Sequence, residues 1–360
     1  MKYLDEYRDP ELAAGLIQRI KSLSRKPVRL MEICGTHTVA IFRHGIRSVL
    51  PENLVLVSGP GCPVCVTAQV DIDRSIKLAR IPDVIVTTFG DLVRVPGSGS
   101  SLAREKAEGA DVRTVYSTFD ALSVARNHPD RKVVFLGIGF ETTAPTIAAA
   151  IMTAHREGLR NFSVLSMHKL LPPAMEALLS GGESRIDGFI CPGHVSVIIG
   201  TSAYEAVVRQ HGTPCVVVGF EPTDILEGLY RLIRLLEKNE AGVEIQYKRA
   251  VTPEGNIKAM HLLHTVFEPA QAAWRGLGVI PESGLKIRDS FSIHDAAQSF
   301  DVEVPAPVDP KGCACSEVIR GLKTPLDCPF FASKCTPEEP VGPCMVSTEG
   351  TCAAYYKYRV

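Results

Sequence analysis

The sequence predicts an α/β protein in which two similar doubly wound parallel-sheet (Rossmann-like) domains face a cleft, with a small cysteine-rich domain after them. Three observations carry that expectation. Short apolar runs alternate with helical patterns, the layout of those runs repeats, and six of the eleven cysteines fall after residue 312.

The apolar runs are Val28 to Ile33, Leu54 to Ser58, Val84 to Thr88, Val112 to Ser117, Val133 to Ile138, Phe162 to Ser166, Gly188 to Cys191 and Cys215 to Gly219. They are continuous rather than alternating, as in strands covered on both faces, and the helical stretches between them call for parallel pairing. Within each set of four the centres advance by about 25 to 30 residues, so two sheets of four are expected. MEICGTHTVAIF matches LGIGFETTAPTI in layout, VSGPGCPVC matches LSMHKLLPPAM, and VIVTTFGDLVRVPGS matches GFICPGHVSVIIG. The expected division is residues 1–130 for the first α/β domain, 131–240 for the second and 241–360 for the C-terminal region. Strand C-terminal ends would then line a shared cleft, the place where such sheets bind ligands.

Beyond the strands, Asp224 to Asn239 puts Leu226, Leu229, Tyr230, Ile233 and Leu236 on one helical face and reads as a packing helix. A strand near Glu244 to Val251 and a helix from about Glu254 to Ala273 follow. His261 and His264 on that helix read as structural. Residues 276–310, rich in Gly, Pro and Asp, read as a linker into the cysteine module at about 305–360.

Composition narrows the function classes. The 39 Lys and Arg against 40 Asp and Glu, with no block of like charge, favour neither nucleic acid nor an anionic membrane. No secretory leader precedes MKYLDEYRDPELAAGL, and no apolar run of about 18 residues could span a bilayer, so a cytoplasmic protein is expected. There is no GxxxxGK[ST], GxSxG or HExxH, and Gly137-Ile138-Gly139 lacks the third glycine of a dinucleotide fingerprint.

The tail cysteines are Cys313, Cys315, Cys328, Cys335, Cys344 and Cys352. Four thiolates are the usual complement of a [4Fe-4S] cluster, and two more would make a dithiol. Stable disulfides are rare in the cytosol, whereas zinc stays open, although four-cysteine zinc sites usually show two close pairs and here there is one. Cys34 directly follows the first strand in Glu32-Ile33-Cys34-Gly35-Thr36-His37, where a helix N-terminus favours thiolate and His37 could share a metal. The bland reading is a packed core thiol. Cys62-Pro63-Val64-Cys65 opens a helix after the second strand; a reversible disulfide or half of a zinc site both suit it. At the corresponding ends in the second half stand Glu141, Thr142, His168 and His194, candidates for acid, base or supporting roles and equally for capping and surface exposure. Cys215 reads as core.

The strings CGTHTVAIFRHGIR, GPGCPVC, GFETTAPT, CPGHVSVIIG and the tail from Cys313 to Tyr358 closely resemble the HypD family of hydrogenase maturation factors. The resemblance covers essentially the whole chain. It implies a scaffold that, with the partner HypC, holds iron while the Fe(CN)2CO unit of [NiFe]-hydrogenases is assembled, with cyanide received from HypE. It also implies Cys34 as iron ligand with His37 nearby, Cys62 and Cys65 as a redox pair, and a [4Fe-4S] cluster on Cys313, Cys328, Cys335 and Cys352 beside a Cys315/Cys344 dithiol. Two other readings stay open: an iron-sulfur-dependent thiol-disulfide oxidoreductase, and a zinc-stabilised binding module.

Overall fold

The computed structural model describes residues 5–182, 185–308 and 310–358, so the outermost residues of the first and last expected segments lie outside it. All eight apolar runs form strands: β1 (Val28–Glu32), β2 (Leu54–Ser58), β3 (Val84–Thr88), β4 (Val112–Thr114), β5 (Lys132–Gly137), β6 (Phe162–Ser166), β7 (Gly188–Pro192) and β8 (Cys215–Val218). A short β9 (Val243–Ile245) begins where a strand was expected near Glu244. The helix Pro222–Glu237 fills the expected amphipathic stretch, with Leu226, Leu229 and Ile233 buried and a capping box from Glu221 and Asp224.

The sheets recombine the two halves. One five-stranded sheet has the order β2-β1-β7-β8-β9, the other the order β4-β3-β5-β6, and every pairing in both is parallel. The boundary expected at residue 130 therefore runs through the middle of the four-stranded sheet, between the paired β3 and β5. Even spacing reports how often strands occur; it does not report which apolar faces find each other. Even so, a common plan exists. Counted in order of appearance within each sheet, one runs 2-1-3-4-5 and the other 2-1-3-4, so each has a topological switch point between its first and third strands.

The inner faces share one core that includes Met31, Val57, Phe189 and Val217 of the first sheet and Val86, Val134 and Leu136 of the second. Outside the first sheet, Leu30, Leu56 and Val216 pack beneath the helix Pro222–Glu237. Outside the second, Phe135 and Phe162 meet Phe267, Leu285 and Ile287.

Those last residues belong to an element the sequence reading missed. The helix expected to reach Ala273 stops at Val266, and β10 (Phe267–Trp274) pairs antiparallel with β11 (Gly278–Ile287), inside the stretch expected to be a linker. Pro269 and three alanines make β10 look unlike a strand by composition. What holds it is tertiary: isolated bridges join Thr67 to Trp274 and Lys169 to Gly284, and Trp274 Nε1 donates to Ser283 Oγ at 2.8 Å.

The tail is built from short pieces, with helices Cys315–Ile319, Pro343–Val346 and Thr351–Lys357 and a single 3-10 turn Pro325–Asp327 closed by a Thr324/Asp327 capping box. Helix Pro343–Val346 lies against the helix of the Cys62 turn, and Thr351–Lys357 lies against the helix after Cys34. Among the described residues no helix is long and apolar enough to cross a membrane.

The topology makes a direct prediction. A fragment ending at residue 130 supplies only β1 and β2 to one sheet and β3 and β4 to the other, so it should lack protected amides in hydrogen exchange. A fragment 1–130 with slow-exchanging β1 and β3 amides would contradict the pairing.

Candidate thiol and metal site

The switch point of the first sheet lies between β1 and β7, and just beyond the ends of those strands stand Ile33-Cys34 and Gly193-His194. Topology thus brings together two groups far apart in sequence: Cys34 Sγ is 3.9 Å from His194 Nδ1. Cys34 caps the helix Gly35–Arg43 with extended backbone. Burial pushes its thiol up to about 12, helped by the charge of Glu349 and opposed by the N–H groups of His37 and Thr36.

His37 is used differently. Its Nε2 lies 2.8 Å from the Gly219 carbonyl and 3.2 Å from that of Val218, so this nitrogen carries the proton and donates. The buried Nδ1 has no partner among the described residues. Burial holds both rings neutral at pH 7, with His37 and His194 each lowered to about 4. Phe220 packs against both, at ring-centroid distances of 4.8 and 5.3 Å. Of the two histidines, His194 is the one placed against the Cys34 sulphur.

The Cys62 turn presses directly on the Cys34 turn. A Cβ on Gly61 would sit 2.1 Å from the Cys34 nitrogen and 2.4 Å from its Cα, so only glycine fits, and Gly35 N–H donates to the Gly61 carbonyl at 3.0 Å. Cys62 caps the short helix Pro63–Val66 and accepts from Cys65 N–H at 3.3 Å. Both thiols are buried, and burial pushes Cys65 well up from the usual thiol range.

From Cys65 the sulphurs continue into the tail. Cys65 Sγ donates to the carbonyl of Pro343, the residue before Cys344, at 3.9 Å, Cys315 Sγ donates to Cys344 Sγ at 3.1 Å, and Cys313 and Cys315 line the same pocket. All six tail cysteines line one small pocket, together with Ala314, Phe331, Gly342 and Met345. Among the described residues no three His, Cys, Asp or Glu side chains converge as ligands of a single ion. A [4Fe-4S] cluster makes a different demand, because its four thiolates each take a separate iron around the cube.

The other candidates stand apart from the thiols. Glu141 and Thr142 follow β5 and His168 follows β6, in the second sheet. Glu141 Oε1 accepts from Leu171 N–H at 2.8 Å, while its buried Oε2 has no partner among the described residues. His168 Nδ1 is 2.9 Å from Ser166 Oγ, its ring packs against Phe267, and burial lowers it to about 3. Thr142 is half-buried in the Glu141 turn, and the helix that follows is capped by Thr143. Cys215 is fully buried core, and His261 and His264 are exposed.

Three participants escaped the sequence reading. Glu32, wholly buried, accepts from Ser58 Oγ at 2.7 Å and pairs with Arg47 at 2.9 Å. Thr36 Oγ1 donates to Glu349 Oε1 at 2.7 Å. Lys169, also buried, pairs with Asp71 at 3.2 Å. A charged residue inside an apolar strand, as Glu32 is, was the one available signal.

Burial pushes Glu141 up to about 7, against the pull of the Leu171 N–H. Its contribution to stability is fully present below the ordinary carboxyl value of about 4.3 and is lost as pH rises through 7, when the native state must ionise a buried group. Urea midpoints should therefore fall more between pH 5 and pH 8 for the wild type than for Glu141→Gln; parallel falls would refute it.

The family model for HypD, described as the hydrogenase formation hypA family, matches residues 11–359. The chain is 49% identical over 367 residues to the hydrogenase maturation factor HypD of Azotobacter vinelandii, covering 99% of this chain and 97% of the relative. It is 48% identical to HypD of Cupriavidus necator, again over 99% and 97% of the two chains. A putative hydrogenase expression/formation protein of Methanocaldococcus jannaschii is 44% identical over 98% of each chain. With matches that run the full length and include every thiol-bearing turn described above, the chain belongs to the HypD family of hydrogenase maturation factors.

Proposed function

We propose that this protein is the scaffold on which the Fe(CN)2CO unit of a [NiFe]-hydrogenase is assembled, working with HypC and receiving cyanide from HypE. The observation that carries the reading is the file of thiols that starts at the Cys62 turn, itself hydrogen-bonded to the Cys34 turn, and runs by way of Cys65, bonded to the residue before Cys344, to the Cys344/Cys315 contact and the pocket that Cys313 also lines. A scaffold that only held iron would need Cys34 and neighbouring donors, not a file of sulphurs leading away from it.

In this reading Cys34 holds the iron cargo as a soft thiolate ligand. The neutral imidazole of His194, against the sulphur, is available to take the thiol proton when iron binds. Releasing cyanide from a sulphur carrier breaks an S–C bond and requires two electrons. Oxidation of the Cys62/Cys65 dithiol to a disulfide provides two electrons and two protons. Their burial keeps water and adventitious oxidants from the pair. Cys344 lies beside Cys65 and can attack the resulting disulfide as the resolving thiol, passing oxidation on to the Cys315/Cys344 pair.

The tail thiols suit a [4Fe-4S] cluster by number and by their common pocket. Cys313, Cys328, Cys335 and Cys352 would hold it, leaving the closely approaching Cys315 and Cys344 as the dithiol. The cluster would supply single electrons for re-reducing that pair.

The test is infrared spectroscopy with iron and sulfide analysis on the anaerobically purified chain, co-expressed with HypC, HypE and the remaining maturation proteins. Cyanide and CO stretches are expected together with four cluster irons and one more. Cys34→Ala should lose those stretches and keep the cluster; retained bands would sink the assignment. Cys328→Ala should lose the cluster and with it part of the tail's folding free energy, lowering its resistance to proteolysis. A cluster without cyanide bands would favour a thiol reductase, and zinc in its place a structural tail.

In a second experiment, Cys62→Ser/Cys65→Ser should leave iron bound but without its cyanide ligands. Fully cyanated iron on that variant would remove the dithiol from the mechanism.

A further inference from the structure

The turn that receives His37 is itself held from behind. β8 ends at Val218 and its parallel neighbour β9 at Ile245, so Gly219-Phe220 and Gln246-Tyr247 leave the same edge of the sheet as Cys34. Gln246 is buried, and its side chain bonds in two directions: Oε1 accepts from Gly219 N–H at 3.1 Å, and Nε2 donates to Asp224 Oδ1 at 2.8 Å. The buried Asp224 carboxylate also accepts from Arg249, at 2.8 and 2.5 Å, and from Glu221 N–H at 3.2 Å. The Arg249 guanidinium lies in turn over the rings of Tyr7 and Tyr247, 3.7 and 4.4 Å from their centroids. Only glycine fits the turn, since a Cβ on Gly219 would be 2.3 Å from Asp224 Oδ2.

The Gly219 N–H and the Val218 carbonyl are the two ends of one trans peptide unit and point opposite ways. Gln246 holds the N–H end, while His37 Nε2 donates to the carbonyl end at 3.2 Å and to the next carbonyl, that of Gly219, at 2.8 Å. Two acceptors fixed at Nε2 leave Nδ1 as a bare lone pair, buried and without a partner among the described residues. The same turn presents Phe220 to both histidines, including His194 beside the Cys34 sulphur. We propose that Gln246 is a positioning residue for the Cys34 site. Backed by Asp224, it fixes the Gly219-Phe220 turn; the turn holds His37 as the Nε2-protonated tautomer with Nδ1 open and sets the His194 ring against Cys34. What those rings do in assembly rests on the reading that Cys34 holds iron, whereas the tautomer does not.

Nitrogen-15 NMR on the iron-free full chain, labelled at histidine, reads the tautomer, and the His37 signals are those missing from His37→Gln. The wild type should show a protonated Nε2 and a bare Nδ1. Gln246→Met keeps the chain length and removes both bonds, so Gly219 N–H is left buried without an acceptor and the turn loosens. The Nδ1-protonated form of His37 should then become detectable, and the remaining Nε2–H should exchange with water several-fold faster. Gln246→Asn, one methylene too short to reach Asp224 and Gly219 together, should do the same to a smaller degree and decides the matter if the first variant does not fold. Leu229→Ala, on the buried face of the helix Pro222–Glu237, weakens the fold outside this chain of bonds and should leave the His37 tautomer unchanged. An Nδ1-protonated His37 in the wild type, an unchanged tautomer in the Gln246 variants, or an equal change in Leu229→Ala would overturn the proposal.

Infrared spectra of the co-expressed, iron-loaded full chain test the reach to Cys34. Gln246→Met should keep its iron but spread the CO and cyanide stretches over more than one set of bands, because the rings around the sulphur no longer take a single arrangement. One set of bands identical to the wild type would overturn the part given to Gln246 at Cys34. A wild type without those stretches would sink the iron reading, while the NMR result still decides whether Gln246 sets His37.

Discussion

The contact between Gly61 and the backbone of Cys34 is the constraint on which the site depends. Two turns, each bearing a thiol and each at the C-terminal end of a neighbouring parallel strand, approach until there is no space for a methyl group, and a single Gly35 N–H to Gly61 carbonyl bond fixes them. Strands pair about 4.8 Å apart, so turns leaving adjacent strands are close by default. Removing the side chain between them turns proximity into contact, and a thiol in one turn can then sense the other.

From there the arrangement spreads in two directions. Toward the sheet, the switch point supplies His194, and carbonyls of the β8 end orient His37. Toward the tail, the short helix Pro343–Val346 settles on the Cys62 turn and the Glu349 turn settles on Gly35. Side chains add to these contacts: Thr36 donates to Glu349, Ser347 donates to Asp91, and Phe42 packs on Tyr355. Burial does the rest of the electrostatic work: it keeps His37 and His194 neutral and pushes the Cys34 thiol up.

Much of this was legible in the residue order. Continuous apolar runs such as VIVTT and CVVV can be little else than buried strands, and thiols set directly after them had to lie at one edge of a parallel sheet. Strand partnership was not legible, because spacing is a local quantity and β7 pairs with β1 across the whole second sheet. The nearness of His194 to Cys34 inherits that difficulty. So does the β10 and β11 hairpin, since Pro269 and its alanines gain their strand conformation from Thr67, Lys169 and the core around Phe267 and not from their own propensity. The six tail cysteines declared themselves by density, yet Cys315 and Cys344, whose thiols meet at 3.1 Å, are distant in sequence, and only the folded tail joins them.

The path of the chain between the sheets also governs how the molecule comes into being. After β2 the chain leaves, builds β3 to β6 as a sheet made wholly of consecutive strands, and only then returns with β7 to lie beside β1. The four-stranded sheet can condense early from near neighbours, whereas the first sheet must close a loop spanning the second one, a slow step of high contact order. During synthesis β1 and β2 wait, with their apolar faces uncovered and Cys34 and Cys62 open to solvent, until β7 has emerged. The thiols that end up most protected are thus among the longest exposed, and a nascent chain of this kind has reason to fold where oxygen and stray metal are scarce.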